Sequence, residues 1–588
     1  MAEFDEFGRE SDLGRAVRRA YGEMGPSPET EARMLAALRA ERPRARRRVP
    51  RWTFVALPAA ACLVLAVGLG VFAAREAMDT TLSEAPAVPV SAMPSEEIEL
   101  YESAASGSAE ASVDGEASLA ADGLGAAANG EGYLDGGEQP FRSVAEQPLS
   151  TFSADVDTAS YANVRRFVRD GAGLGTMDPG AVRIEEMLNY FDYDYATPVG
   201  DDAFALTAAA GPCPWNAESE LVVLGLATSE PAAEALPSNL VFLVDVSGSM
   251  AAADKLPLLK EALADMARTL GPDDRVSIVT YSGTEEVVLK GARGDDTAAI
   301  LQALDSLQAA GSTNGEAGLE MAYRVAEEMS IEGGVNRIVM ASDGDLNVGI
   351  SSVEELYDFV EAKRGQGVYL SVLGFGTGNY QDATMEVLAD HGNGSYHYID
   401  SADEAARVLD RSLRAGAAPV ADDVKLQVEF NGDVVESYRL VGYANRALPD
   451  EDFRNDDADA GEVGAGQQLT VAYEVVLAEG ARAKAEDAPW LTVAARYAPA
   501  GDRAGEAPRE QRFEVGGDCW STEPGADWKL AAAVAEFGML ARDSEYAGTA
   551  TAEEAAALAE GSAVLASPDR AVRRELAALI RQAASQTF

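Results

Sequence analysis

The stretch Asn239 to Met250, NLVFLVDVSGSM, constrains this chain more than any other. Asn239 to Val244 is short, β-branched and bounded by turn residues, which reads as a buried strand running into a loop. That loop places Asp245, Ser247 and Ser249 on alternate positions, three small side chains bearing oxygen. Alone, D-x-S-x-S is a weak signal, since Asp245 and Ser247 would serve equally to cap the next helix. Two further positions change its weight. Thr313 lies in AAGSTNG, a glycine-flanked loop between two helical patterns, and Asp343 follows a second apolar strand in RIVMASDGD.

The surrounding pattern supplies the scaffold. Leu259, Leu263, Met266 and Leu270 give a first helix its buried face, ended by Gly271-Pro272, and Val276 to Tyr281 reads as the next strand. Helices are expected at 296–308, 315–329 and 352–364, and strands at 337–341 and 368–374, followed by a closing strand and helix. Strands alternating with helices imply an α/β fold, a mostly parallel sheet covered on both faces. Ligands on such sheets bind beyond the carboxyl ends of the strands.

In order and in context, Asp245, Ser247, Ser249, Thr313 and Asp343 fill the five positions of a metal-ion-dependent adhesion site (MIDAS), and the segment 238–415 resembles the von Willebrand factor A domain. The resemblance implies a Rossmann-like fold with Mg²⁺ as cofactor, Mn²⁺ or Ca²⁺ being the substitutes. Mg²⁺ takes a near-octahedral oxygen shell and keeps water readily. Hydroxyls from Ser247, Ser249 and Thr313 are neutral ligands, whereas Asp245 and Asp343 carry the charge. In the family pattern one coordination position stays open for a Glu or Asp of a partner protein.

Residues 1–51 carry short helical patterns and end in six arginines between Arg42 and Arg51. Residues 52–74 then run without a charge, long enough to cross a bilayer. With the basic residues on its N-terminal side, this span predicts a cytoplasmic N-terminus and an extracytoplasmic bulk. Ala59-Ala60-Ala61-Cys62 bears comparison with a lipoprotein cleavage site, but the run stays hydrophobic to Phe72, which favours an uncleaved anchor. Residues 75–147, rich in Ala, Gly, Ser and Glu, read as a disordered acidic linker.

Order is expected to return at Pro148. A flanking region of helices and strands, 148–237, precedes the A domain, and after Val420 the period changes to two, so that 416–588 reads as an antiparallel β module closed by helices. This arrangement resembles bacterial envelope proteins in which an A domain is flanked by such segments. Asp155-Val156-Asp157 is not a calcium loop, because Ser160 and Arg166 stand where Gly and Glu are required. Cys213 and Cys519 lie outside the span, where a disulfide is permitted, and a bridge would tie the flanking region to the C-terminal module.

A net charge of −51 excludes the basic patch that nucleic acid requires. With only His391 and His397, and no nucleophile elbow or phosphate loop, the chain offers little for catalysis. The expectation is a membrane-anchored, extracytoplasmic binding protein that captures a carboxylate-bearing protein through its metal. The alternative is an envelope scaffold or signal transmitter that uses the A domain as a sensor.

Overall fold

Two kinds of sheet build the molecule, and the apolar period of each strand decides which sheet it joins. The computed structural model describes residues 124–126, 131–229, 236–312, 315–344, 359–360, 362–363, 367–378, 380–410, 418–456, 458–481, 489–500, 505–564 and 567–587. The expected cytoplasmic segment and membrane span, most of the linker, Thr313 and most of the helix expected at 352–364 fall outside them. Among the described residues no helix is long and apolar enough to cross a membrane.

The chain opens with β1 (Leu124–Ala126) and β2 (Gly132–Leu134), an antiparallel pair, then β3 (Arg142–Ser143), β4 (Leu149–Ser153), α1 (Ala159–Arg169), α2 (Ile184–Asn189), β5 (Ala205–Pro212) and β6 (Glu220–Ala227). The α/β domain follows as β7 (Ser238–Asp245), α3 (Leu256–Met266), β8 (Arg275–Tyr281), β9 (Glu285–Arg293), α4 (Thr297–Ser306), α5 (Gly315–Glu328), β10 (Val335–Ser342), β11 (Tyr369–Phe375), α6 (Asp382–His391), β12 (Tyr396–Ile399) and α7 (Ala402–Asp410). Its sheet runs β12-β11-β10-β7-β8-β9, parallel throughout except for the last pair.

Because β7 and β10 are buried along their whole length, their sequences are near-continuous apolar runs. Leu256, Leu259, Leu263 and Met266 of α3 cover one face, and Leu319, Ala322, Tyr323 and Ala326 of α5 cover the other. Each buried leucine or methionine among them contributes about 1.5–3 kcal/mol by leaving water. The alternation of strands and helices read from sequence is therefore the architecture found. Sequence reading missed β9, whose Glu285, Glu286, Lys290 and Arg293 mask its apolar residues. Those charges suit an edge strand, since they discourage pairing with another chain.

The remaining elements are β13 (Pro419–Phe430), β14 (Val435–Val441), β15 (Gly461–Gly464), β16 (Gln468–Leu477), β17 (Pro489–Pro499), β18 (Arg509–Gly516), α8 (Ala526–Ala541), α9 (Ala552–Ser562) and α10 (Arg570–Gln586). They do not stand alone. One sheet is β15-β13-β17-β18 with β4 added on β13; the other is β3-β14-β16-β6-β5. The regions before and after the α/β domain thus form a single β-sandwich, and the domain is inserted between β6 and β13. Two modules were expected because alternation reveals a strand but not its partner across the sequence.

Strand β6 shows the layering. Val222, Leu224 and Leu226 face the sandwich interior, while Leu221 and Val223 face the helical layer of α1, α2 and α8–α10. Covered on both sides, β6 is buried throughout. Cys213 belongs to the helical-side core, whereas Cys519 packs against the sandwich core. The expected bridge is consequently not formed, and both cysteines are free thiols, because the sheet puts them in different layers. The folded body also begins before Pro148: Glu131 and Tyr133 are 1% and 2% exposed.

Salt bridges hold the inserted domain in place. Arg446, from the sandwich, binds Asp155 at 3.3 Å, Asp157 at 3.2 Å and Asp390 of α6 at 2.5 Å. Arg183 binds Asp382 of α6 at 2.7 Å and also pairs with Glu186. Breaking a buried pair of this kind leaves an uncompensated charge and costs about 3–5 kcal/mol.

Candidate metal centre

Strand register assembles the site. In β7 and β10 Val244 stands opposite Ala341, so Asp245 falls level with Ser342 and Asp343 is one residue beyond. Both aspartates are fully buried at the carboxyl ends of adjacent parallel strands. The Ser247 amide donates to Asp245 Oδ1 at 2.8 Å, and the Ser342 hydroxyl donates to Asp245 Oδ2 at 3.3 Å. Ser342 Oγ in turn accepts from the Gly344 amide at 3.0 Å. These bonds fix the carboxylate of Asp245 while leaving further lone pairs for a cation.

The hydroxyls of Ser247 and Ser249 lie 2.9 Å apart, Ser247 buried and Ser249 exposed, so the site opens to solvent over residues 248 and 249. The loop is stitched to its neighbour: Gly248 donates to the Gly311 carbonyl at 3.1 Å, and Ala310 donates to the Val246 carbonyl at 2.7 Å. That neighbouring segment leads directly to position 313, whose own placement lies outside the described residues. The structure therefore brings Asp245, Ser247, Ser249 and Asp343 together.

Burial pushes the Asp245 carboxyl up to about 6, with the Asp343 charge adding to the effect and hydrogen bonds from Ser247 and Ser342 opposing it. Burial, together with the field of both aspartates, also holds the Tyr281 hydroxyl well above the usual tyrosine range. The donor set is entirely oxygen, with two carboxylates among hydroxyls, and fits a hard divalent cation better than a thiophilic one.

Three residues escaped the sequence reading. Lys255 donates from Nζ to Asp343 Oδ2 at 2.9 Å while only 5% exposed. Ser342 and Tyr281 complete the surroundings of Asp245. A basic residue immediately before the amphipathic α3, LPLLKEALADM, was the available signal for the first. Neither of the others carries a pattern that marks it. His397 belongs elsewhere: buried on β12, its Nδ1 lies 2.8 Å from Thr158 Oγ1 and its Nε2 3.0 Å from Ser395 Oγ, a packing role.

The fold and the clustered Asp and Ser residues define a von Willebrand factor type A protein. Residues 239–411 match the von Willebrand factor type A domain, residues 127–223 match a model described as von Willebrand factor, and residues 416–586 match the C-terminal region of the uncharacterized protein YfbK. The chain is 40% identical over 439 residues to YfbK of Escherichia coli K12, covering 70% of this chain and 74% of that one. It therefore belongs to the YfbK family.

Human inter-alpha-trypsin inhibitor heavy chain H3 is 30% identical over 269 residues, covering 43% of this chain but only 30% of the heavy chain. A solved von Willebrand factor type A protein from Catenulispora acidiphila is 17% identical, with a TM-score of 0.38, covering 61% of this chain and 87% of that one. Mussel byssus proximal thread matrix protein 1, solved with a zinc-occupied MIDAS motif, is 23% identical with a TM-score of 0.26, covering 30% of this chain and 45% of that one. Domains of this class typically mediate protein–protein binding without catalysis, and often hold a divalent metal.

Proposed function

We propose that this protein captures a carboxylate-bearing protein through a divalent cation, Mg²⁺ in the first instance, held by Asp245, Ser247, Ser249, Asp343 and Thr313. The observation that carries this reading is the adjacency of β7 and β10, which delivers two buried carboxylates to one solvent-facing loop cluster. When bound, the metal supplies an electrophilic position that an incoming Glu or Asp can occupy. Ser342 and the Ser247 amide orient Asp245, and the exposed Ser249 edge admits the partner's side chain. The basic and apolar residues 42–74 anchor the chain in a membrane with its bulk extracytoplasmic.

A second reading, in which the A domain signals through its tether, draws on one contact. Glu131, at the end of the linker, accepts from the Gly378 amide at 2.8 Å, and Gly132 donates to the Tyr380 carbonyl at 2.9 Å. That loop abuts the centre: a Cβ on Gly344 would stand 2.7 Å from the Gln381 amide nitrogen.

Capture from envelope extracts on the immobilised protein tests the main reading, in Mg²⁺ and in chelator, with Ser247→Ala beside wild type. A protein retained by wild type only, and only with metal, is the expected outcome. Equal retention under all conditions removes the metal bridge.

A further inference from the structure

Lys255 is an unusual neighbour for a cation site. It precedes α3, and its backbone is fixed at both ends: its amide donates to the Ala252 carbonyl at 3.1 Å, and its carbonyl accepts from Leu259 at 2.9 Å. From there the side chain runs inward, 6% exposed, to meet the buried Asp343. The path is shaped for it. Gly376, at φ +79°, lies beneath the aliphatic stem, and a Cβ there would stand 2.0 Å from Lys255 Cε and 2.5 Å from Cγ. Any residue with a side chain at 376 would push the lysine off its course.

The charge balance gives this contact its meaning. Among the described residues, the buried Asp245 and Asp343 bring two negative charges to the site, and Lys255 returns one positive charge. A buried carboxylate with no counter-ion is costly, so the ammonium keeps Asp343 in place while no metal is bound. The same ammonium lies beside the place where a divalent ion would bind, and at low effective dielectric two positive charges repel strongly. Lys255 engages Asp343 Oδ2 in the way outer-sphere partners hold metal ligands in place.

We propose that Lys255 is a built-in counter-cation of the metal centre, a positioning residue that preserves Asp343 in the metal-free protein and lowers the affinity for divalent metal. This rests on the metal reading given above. It makes the centre a weak, readily exchanging one, suited to binding metal and partner together rather than to holding metal permanently.

The test is Lys255→Met in the full chain, titrated calorimetrically with Mg²⁺ and with Mn²⁺, and melted with and without metal. The expected result is at least tenfold tighter metal binding, a lower melting temperature without metal, and a larger rise when metal is added. Mere structural damage would weaken binding, so the sign discriminates. Lys255→Gln, neutral but able to donate to Asp343, serves as a second variant should the first fold poorly. Refolding of either by metal supports the proposal, and failure to fold with metal overturns it.

Unchanged or weaker affinity in folded variants also overturns it, leaving the metal reading intact provided Asp245→Asn abolishes binding in wild type. If neither wild type nor Lys255→Met binds metal, both ideas fall. Metal bound by Lys255→Met alone supports the proposal.

Discussion

At the scale of residues, His397 illustrates how burial decides the role of a group that sequence leaves open. Burial holds its imidazole down at about 3, with Arg407 acting in the same direction and Glu404 against it. Since the folded value lies below the ordinary 6.5, the unfolded chain binds the extra proton first. Stability contributed by the neutral ring is present above pH 6.5 and drains away as pH falls towards 3. At about 1.4 kcal/mol per pH unit the loss is of the order of 4 kcal/mol, and His397→Gln should flatten that part of a denaturation-midpoint profile. The clustering of Asp245, Ser247, Ser249 and Asp343 was legible because D-x-S-x-S and a distant Asp, each at the end of an apolar strand, form a spaced pattern. Lys255 was not, because one lysine before an amphipathic helix has the same appearance whether it ends in solvent or on a buried carboxylate.

At the scale of elements, type was legible and partnership was not. Strand β7 declared itself through its apolar run, and β16 and β17 through alternation, but nothing local in β4 or β6 says that they pair with β13 and β16. The middle of β6 shows what such pairing demands. Gly225 lets the Tyr195 ring lie against the strand, and a Cβ there would approach the ring to 2.2 Å. Tyr195 is held by a stacked Tyr193, with centroids 4.9 Å apart, and by Thr470 at 3.0 Å, so it has nowhere to retreat. Gly225→Ala should therefore destabilise the protein by about 1–3 kcal/mol, measured by denaturant unfolding, despite the better strand propensity of alanine.

At the scale of the whole molecule, the folded body takes in residues that composition assigned to the linker. Glu131 makes a bidentate pair with Arg166 at 3.0 Å, and Arg166 also reaches the Tyr133 hydroxyl at 2.9 Å. A chain starting at residue 148 should be less stable than one starting at 131 by about 3–5 kcal/mol, because Arg166 loses its buried carboxylate. Differential scanning calorimetry on the two would show it, and equal melting temperatures would contradict it. The acidic, glycine-rich composition concealed this segment, since its few apolar residues, among them Tyr133, Phe141 and Val144, show no period and find their partners far along the chain.

The insertion of the A domain between β6 and β13 also has a consequence for how the protein is born. Strands β5 and β6 leave the ribosome early, but β16, which β6 must join, is made only after the entire inserted domain. At about 5–20 residues per second that delay is on the order of ten seconds or more. The parallel sheet, complete within its own stretch of chain, has time to close first, while a nascent hairpin of buried valines and leucines waits with one edge open. Synthesis of this protein thus contains an interval in which the apolar strand β6 has an open edge and no partner yet made.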